Sequence, residues 1–185
     1  MEIDPNKLWI GDVILVASGN KITEAVQKKL GYGDSSKWTH VAGCIGAYDL
    51  IEGQQPKSRV CDIEAEYINK NIEIKVLRKN WEVIGDKAQA EKDRIKVALW
   101  WATMNNLQYD MPQLAWFLFV LRDKALMTMK NLFNSKTKLI CSELIADGFM
   151  RQGYNLFDKP GANVLPADFD NLKGFSVIED IWLKK

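Results

Sequence analysis

The sequence predicts an α+β protein, in which an antiparallel sheet of about five or six strands packs against a cluster of helices. Short runs of strand-forming residues separated by turn signals occupy the first half of the chain, whereas residues at helical spacing dominate the second half. This separation favours α+β over a wound parallel sheet. The 185 residues contain no repeat, low-complexity tract or linker, so we expect a single domain over residues 1–185.

The strands are predicted from apolar or alternating runs that end at turn residues. The first covers residues 12–17, and the helix after it is expected to begin at the N-cap Asn20 and to end at Gly31. The further predicted strands are residues 38–47, 59–66, 72–78 and 175–183. Alternation along the first of these places Trp38 and His40 on one face of the strand.

The helices of the second half are predicted from apolar periodicity and capping residues. Their ranges are residues 86–105, 112–133 and 140–152. The segment 112–133 is apolar on nearly every face up to residue 121. It is interpreted as a lid over a cleft, a lipid-binding surface or additional core.

Charge and hydropathy exclude several classes of protein. The chain has 25 basic and 24 acidic residues, so no global field attracts nucleic acid or an anionic membrane. The longest strongly apolar run, residues 114–121, is far shorter than the roughly 20 residues that cross a bilayer. Residues 1–5 lack the features of a secretion signal, which predicts a cytoplasmic location. The oligomeric state is left open.

The cysteines and the histidine limit the possible chemistry. The three cysteines, Cys44, Cys61 and Cys141, are widely spaced and form no Cys-x-x-Cys pair, so no disulfide framework is expected. His40 is the only histidine, and no metal-ligand spacing surrounds it. We therefore expect neither a metal site nor a cofactor, and any imidazole chemistry must use His40.

Cys141 differs from the other two cysteines because it lies at the predicted start of a helix. The thiolate is the reactive form, and an ordinary thiol is only about 3% ionised at neutral pH. A helix N-terminus supplies about 0.3–1 kcal/mol to an anion, which is too little to ionise such a thiol. A cationic partner is required, and His40 is the only imidazole. Cys44 and Cys61 are assigned to packing.

A third polar group is expected to orient the histidine ring. The candidates near the following strand are Glu52, Asp62, Glu64 and Glu66. Glu64 is preferred because its neighbours Ile63 and Ala65 would face the apolar side of a strand. Alternation alone fits Asp62 and Glu66 equally well.

Several short stretches, taken in their order along the chain, resemble a known family. They are Gly-Asp-Val-Ile-Leu at 11–15, Trp-Thr-His-Val-Ala at 38–42, Asp-Ile-Glu-Ala at 62–65, Gln-Tyr-Asp at 108–110, Ile-Cys-Ser-Glu-Leu at 140–144 and Val-Leu-Pro-Ala-Asp-Phe at 164–169. This series, which extends over almost the whole chain, resembles the circularly permuted papain-like cysteine amidases of the NlpC superfamily, specifically the YaeF/YiiX group. In that group the catalytic histidine precedes the catalytic cysteine.

The resemblance implies a permuted papain-like fold and a role for each matching residue. Cys141 would be the nucleophile, His40 the general base and acid, and Glu64 the residue that orients His40. The backbone N–H of Cys141 would contribute to an oxyanion hole. Tyr109, which matches a family Tyr-Asp pair, and Trp38, beside the histidine, are candidate substrate-binding residues.

The activity implied is that of a cysteine peptidase or amidase that acts through an acyl-enzyme. The substrate implied is a small peptide, since the related superfamily acts on peptide bonds in cell-wall fragments. The alternative is a lipid acyl hydrolase or acyltransferase, because the chain also resembles the lecithin retinol acyltransferase group with the same permuted fold. A further alternative, from a different functional class, is a binding module that has kept the fold without turnover.

Overall fold

A computed structural model describes residues 7–81, 86–109 and 138–178. Its strands are β1 (Val13–Val16), β2 (His40–Cys44), β3 (Asp49–Glu52), β4 (Arg59–Asp62), β5 (Ile74–Lys79), β6 (Gln108–Tyr109), β7 (Lys138–Leu139) and β8 (Phe175–Val177). Its α-helices are α1 (Lys21–Leu30), α2 (Lys87–Thr103) and α3 (Cys141–Arg151). Shorter 3₁₀ or π turns cover Gly33–Lys37, Glu64–Ile68, Gly161–Asn163 and Pro166–Phe169.

The main sheet has six strands in the order β4-β3-β2-β1-β5-β8. All of its neighbouring strands are antiparallel. The described part of the chain therefore confirms the predicted α+β class and the antiparallel sheet. Separately, β6 and β7 form a short parallel pair that aligns Tyr109 with Leu139, directly before α3.

The helix α1 begins and ends where the sequence predicts. The Asn20 side chain accepts hydrogen bonds from the backbone N–H groups of Ile22 and Thr23, at 3.1 and 3.2 Å. Gly31 adopts the left-handed conformation, with φ of 92°, that favours glycine at a helix end. These local signals are sufficient to define the helix that connects β1 to β2.

Alternation along the strands gives the sheet two buried faces. One face packs against α2 and α3 through Val13, Leu15, Val41, Ile51 and Leu77. The other face carries Ile14, Val16, Ala42, Cys44, Leu50, Ile74 and Val76, and it is covered by residues that include Leu8, Ile63 and Tyr67. The core consequently lies on both sides of the sheet, and the side chain of a strand residue faces one side or the other according to its register.

The indole of Trp101 fills the space between the sheet and α3. A Cβ atom built on Gly43 would lie 2.5 Å from its ring, and one built on Gly148 would lie 2.1 Å from its Nε1 atom. The indole N–H donates to the carbonyl of Ile145 at 3.2 Å. Glycine at both positions thus lets α3 approach β2 closely, and this approach fixes the start of the helix relative to the sheet.

Two strands differ from the sequence prediction. The strand expected over residues 38–47 begins only at His40, and a separate strand, β3, follows it. The strand expected over residues 59–66 ends at Asp62, whose carboxylate accepts the N–H of Ala65 at 2.8 Å and so starts a turn.

Two predicted elements include residues that lie outside the described ranges. The predicted helix 112–133 lies wholly outside the described residues, as does the last part of the predicted strand 175–183. Within the described ranges, no helix is both long enough and apolar enough to cross a bilayer.

Candidate active site

A cavity of about 450 Å³ opens where the start of β2, the end of β3 and the start of α3 meet. It is lined by side chains from parts of the chain that are far apart in sequence. They include Ser18, Asn20, Thr23, Thr39, His40, Glu52, Gln54, Gln55, Glu66, Tyr67, Ile72, Tyr109, Ile140, Cys141, Ser142, Leu165 and Pro166. His40 and Cys141, both predicted from the sequence, therefore line the same cavity.

The imidazole of His40 is paired with a buried carboxylate. The pairing of β2 with β3 aligns Ala42 with Glu52, so Glu52 is the diagonal neighbour of His40 on the same face. His40 Nε2 lies 2.8 Å from Glu52 Oε2, and the two side chains are 13% and 1% exposed. The strand register therefore places these two groups on the same face, within reach of a hydrogen bond.

The thiol of Cys141 meets the same imidazole from the other side of the cavity. The two side chains form a hydrogen bond. Cys141 is the first residue of α3 and follows Ile140, whose extended backbone starts the helix without a capping side chain. Gly53, directly after β3, allows this approach, because a Cβ atom there would lie 2.9 Å from the backbone N and Cα of Cys141.

The charges around His40 favour its protonated form. Burial acts to lower the pKa of His40, but the interactions with Cys141 and Glu52 outweigh burial and raise this pKa from 6.5 to about 10. Burial likewise acts to raise the pKa of Glu52, yet hydrogen bonds and charges from His40, Tyr67 and Arg59 lower it to about 2. At neutral pH the site therefore holds an imidazolium beside an ionised carboxylate.

Two further side chains, Arg59 and Tyr67, donate hydrogen bonds to the Glu52 carboxylate. Arg59 Nε donates to Oε1 at 2.8 Å, and the Tyr67 hydroxyl donates to Oε2. Arg59 also forms an ion pair with Glu66 at 2.9 Å. Sequence alternation does not reveal Tyr67, because it lies on the π turn that replaces the end of the predicted strand.

The structure places Glu52, and not Glu64, beside His40. Glu64 is exposed on the turn after β4, because the strand ends at Asp62 and alternation does not continue to residue 64. Within β4 it is Cys61, not the exposed Val60 or Asp62, that packs on the face shared with Glu52. The prediction that Glu64 orients His40 is therefore wrong, and the carboxylate at the ring is Glu52, another of the four candidates.

The two predicted substrate-binding residues have different positions. Tyr109 lines the cavity from β6, where its backbone N–H donates to the carbonyl of Pro56 at 3.0 Å. Trp38 is 2% exposed and packs in the core on the helix side of the sheet, away from the cavity lining. Because β2 begins after it, Trp38 does not share a face with His40. The assignment of Trp38 to substrate binding is therefore corrected.

The other two cysteines occupy packing positions, as predicted. All three cysteines are free. Cys44 is buried in the second face of the sheet and donates its S–H to the carbonyl of Gly46 at 3.0 Å. Burial raises the pKa of both Cys44 and Cys61 to about 12, so neither thiol is suited to nucleophilic attack near neutral pH.

A buried glutamine, Gln27, holds the chain just before His40 through hydrogen bonds. The sequence analysis does not predict this role. Gln27, on α1, donates its amide hydrogens to the carbonyls of Ser36 and Trp38 at 2.9 and 3.0 Å. Its carbonyl accepts the N–H of Ala167 at 2.9 Å. Gln27 thereby joins α1, the approach to β2 and the turn that borders the cavity.

No group of three or more histidine, cysteine, aspartate or glutamate side chains within the described ranges is arranged to hold a metal ion. A comparison of the sequence with models of protein families found no match, and a comparison with curated proteins found none either. The chemical interpretation of the site therefore depends on its own geometry.

Proposed function

We propose that the protein is a cysteine hydrolase that cleaves amide bonds through an acyl-enzyme on Cys141. The observation that carries the proposal is the meeting of the sole histidine with a helix-terminal cysteine in one cavity, with a buried carboxylate behind the ring. This is the arrangement of nucleophile, base and orienting group that activates a thiol. The resemblance to the permuted papain-like amidases of the YaeF/YiiX group supports the same roles, with Glu52 in place of Glu64.

The tautomer of His40 follows from its partners. An ionised carboxylate only accepts hydrogen bonds, so His40 Nε2, which faces Glu52, carries a hydrogen. The other ring nitrogen, Nδ1, is then the one available to Cys141. His40 Nδ1 is thus the atom that exchanges a proton with the thiol and with the substrate.

Acylation begins when the thiolate of Cys141 attacks the carbonyl carbon and the carbonyl electrons move to oxygen. As the tetrahedral intermediate collapses, the C–N bond breaks and His40 Nδ1–H protonates the departing nitrogen. Water then attacks the thioester and gives a proton to Nδ1. The C–S bond breaks, which releases the acyl group as a carboxylic acid and restores the thiolate and imidazolium.

The start of α3 supplies a place for the negative charge of that intermediate. The first N–H groups of a helix have no partner within the helix, and Ile140 offers no side-chain oxygen to cap them. The N–H of Cys141 is among these groups. Such donors stabilise a developing oxyanion, and removal of one typically costs about 100-fold or more in rate.

The cavity lining favours a neutral amide over a phospholipid as substrate. Its described lining residues include the carboxylates of Glu52 and Glu66 but no lysine or arginine. A phosphodiester headgroup in this cavity would meet no lysine or arginine among the described lining residues, and the imidazolium of His40 is already paired with Glu52. Uncharged donors and acceptors such as Thr39, Gln54 and Gln55 instead match the polar groups of a peptide.

The proposal is tested with matched panels of peptide amides and phospholipids, and with mass spectrometry of the intact protein to detect an acyl adduct. We expect turnover of amides and an adduct on Cys141, with both lost in Cys141→Ala. Cys44→Ala, which removes a thiol outside the cavity, is the matched control and keeps the adduct.

The remaining outcomes separate the alternatives. Acyl release from phospholipids alone would assign the lipid-modifying activity instead. If the folded protein forms no adduct, and if Cys141 reacts with iodoacetamide at about pH 6.5 no faster than Cys44, the protein is a binding module.

A further inference from the structure

The carboxylate of Glu52 receives more donors than its pairing with His40 requires. Oε1 accepts Arg59 Nε at 2.8 Å, and Oε2 accepts both His40 Nε2 at 2.8 Å and the hydroxyl of Tyr67. The Cys61 thiol also forms a hydrogen bond with this carboxylate. Since the Glu52 side chain is 1% exposed, these protein groups take the place of water around it.

Tyr67 differs from the other donors because it shares an oxygen atom with His40. Tyr67 is 4% exposed and packs with Ile63 and Ile74 in the cluster on the second face of the sheet. The backbone of its turn is held by the bond from the N–H of Asn69 to the carbonyl of Glu64. The hydroxyl is therefore fixed by packing, independently of the hydrogen bond to Glu52.

We propose that Tyr67 is a positioning residue, whose hydroxyl holds Glu52 Oε2 opposite His40 Nε2 and takes part of the accepting capacity of that oxygen. The inference rests on the proposed cysteine-hydrolase function, which defines what the His40 ring must do. Tyr67 fixes the direction of the ring, so that Nδ1 points to Cys141. It also limits how strongly Glu52 stabilises the imidazolium.

Among the described residues, the groups around the pair have defined effects, and Glu66 acts through Arg59, which it shares with Glu52. His40 faces Cys141 on α3 and Glu52 on β3. Arg59 and Tyr67 stabilise the charge of Glu52 and thereby compete with the imidazolium for it. Removal of the Tyr67 hydroxyl takes one donor from Oε2, so the imidazolium is held more tightly while the carboxylate is less well oriented.

The test compares Tyr67→Phe with Tyr154→Phe, a matched control whose hydroxyl donates to Asp93 at 2.6 Å outside the cavity lining. The protein has one histidine, so a tag-free sample gives a single imidazole signal by NMR. In Tyr67→Phe we expect the midpoint of this titration to rise by about 0.5 pH unit, because the competing donor is gone. Tyr154→Phe leaves the midpoint unchanged.

Kinetic measurements report the orienting effect. In Tyr67→Phe we expect kcat for the amide substrate to fall about tenfold, with KM changed less than about twofold, because binding contacts are kept and ring orientation is lost. The pH profile for alkylation of Cys141 by iodoacetamide gives a readout that needs no substrate. The alkaline step of this profile, where loss of the imidazolium proton changes the reactivity of the thiolate, moves upward together with the His40 midpoint.

The possible results are distinguishable. A folded Tyr67→Phe protein with the wild-type His40 titration and the wild-type alkylation profile would overturn the positioning role and leave Tyr67 as a packing residue. If the wild type cleaves no amide and forms no adduct, the proposed function fails. The titration and the alkylation profile still decide the role of Tyr67 in that case, since both are measured without turnover.

Discussion

Replacement of Glu52 by glutamine removes one buried negative charge and nearly preserves the shape of the side chain. The substitution acts on a carboxylate that is 1% exposed and is held by His40, Arg59 and Tyr67. The matched control is Glu64→Gln, since Glu64 is exposed on the turn after β4. Comparison of the two variants tests which carboxylate the site uses.

The size of the effect follows from the pKa of Glu52. A carboxyl whose pKa falls from 4.5 to about 2 on folding gains about 3 kcal/mol of stability when it is ionised. Because the folded pKa is depressed, this stabilisation is present above pH 4.5 and is lost as the pH falls towards 2. His40 has the opposite sign, because its folded pKa is raised. The stabilisation that His40 contributes is complete below pH 6.5 and is lost as the pH rises through about 10.

The difference in unfolding free energy between wild type and Glu52→Gln should therefore be largest, at about 3 kcal/mol, between about pH 5 and 6.5. It should shrink at lower and at higher pH. Urea denaturation at a series of pH values, followed by circular dichroism, measures this difference in unfolding free energy. The unfolding free energy of Glu64→Gln should differ from that of the wild type by less than about 0.5 kcal/mol at every pH. A constant difference across pH, or an equal loss in Glu64→Gln, would refute the assignment of the buried charge to Glu52.

Two glycine substitutions test how the helix start is placed. In Gly53→Ala the new Cβ atom lies 2.9 Å from the backbone of Cys141, so α3 must retreat and alkylation of Cys141 at neutral pH should slow about tenfold. In Gly148→Ala the Cβ atom lies 2.1 Å from Trp101 Nε1, which should cost about 2–3 kcal/mol in urea denaturation. Gly161→Ala, where the nearest atom is 3.8 Å away, is the control for both and should behave as wild type. Equal losses in all three variants would show that close backbone approach is not the cause.

The sequence predicts those parts of the fold that local signals determine. Asn20 and Gly31 define α1 because capping depends on neighbouring residues alone. His40 can be predicted because it is the only histidine of the chain. Cys141 can be predicted because it is the cysteine that lies at a helix start. Their juxtaposition was expected from the resemblance to the permuted amidases and is present in the structure.

The partner of His40 could not be selected from the sequence because it depends on strand pairing. Glu52 comes from β3, a short strand in which charged Asp49 and Glu52 flank two apolar residues, so alternation gives a weak signal. The carboxylate of Asp62 ends the next strand through a side-chain hydrogen bond that competes with the sheet. Because the strand ends at Asp62, Glu64 does not take the inward position that alternation predicts.

The hydrogen bonds of Gln27 have a consequence for how this position tolerates mutation. Gln27 is 0% exposed. Its surroundings require a side chain of this length that ends in two hydrogen-bond donors and one acceptor. Glutamate lacks the donors, leucine lacks all three groups and asparagine is one methylene too short. In a saturation library at this codon, glutamine is expected to be the sole survivor of selection for a folded, thiol-reactive protein. Position 27 should therefore be as restrictive as the reactive residues themselves, although its hydrogen bonds go to Ser36, Trp38 and Ala167 and not to them.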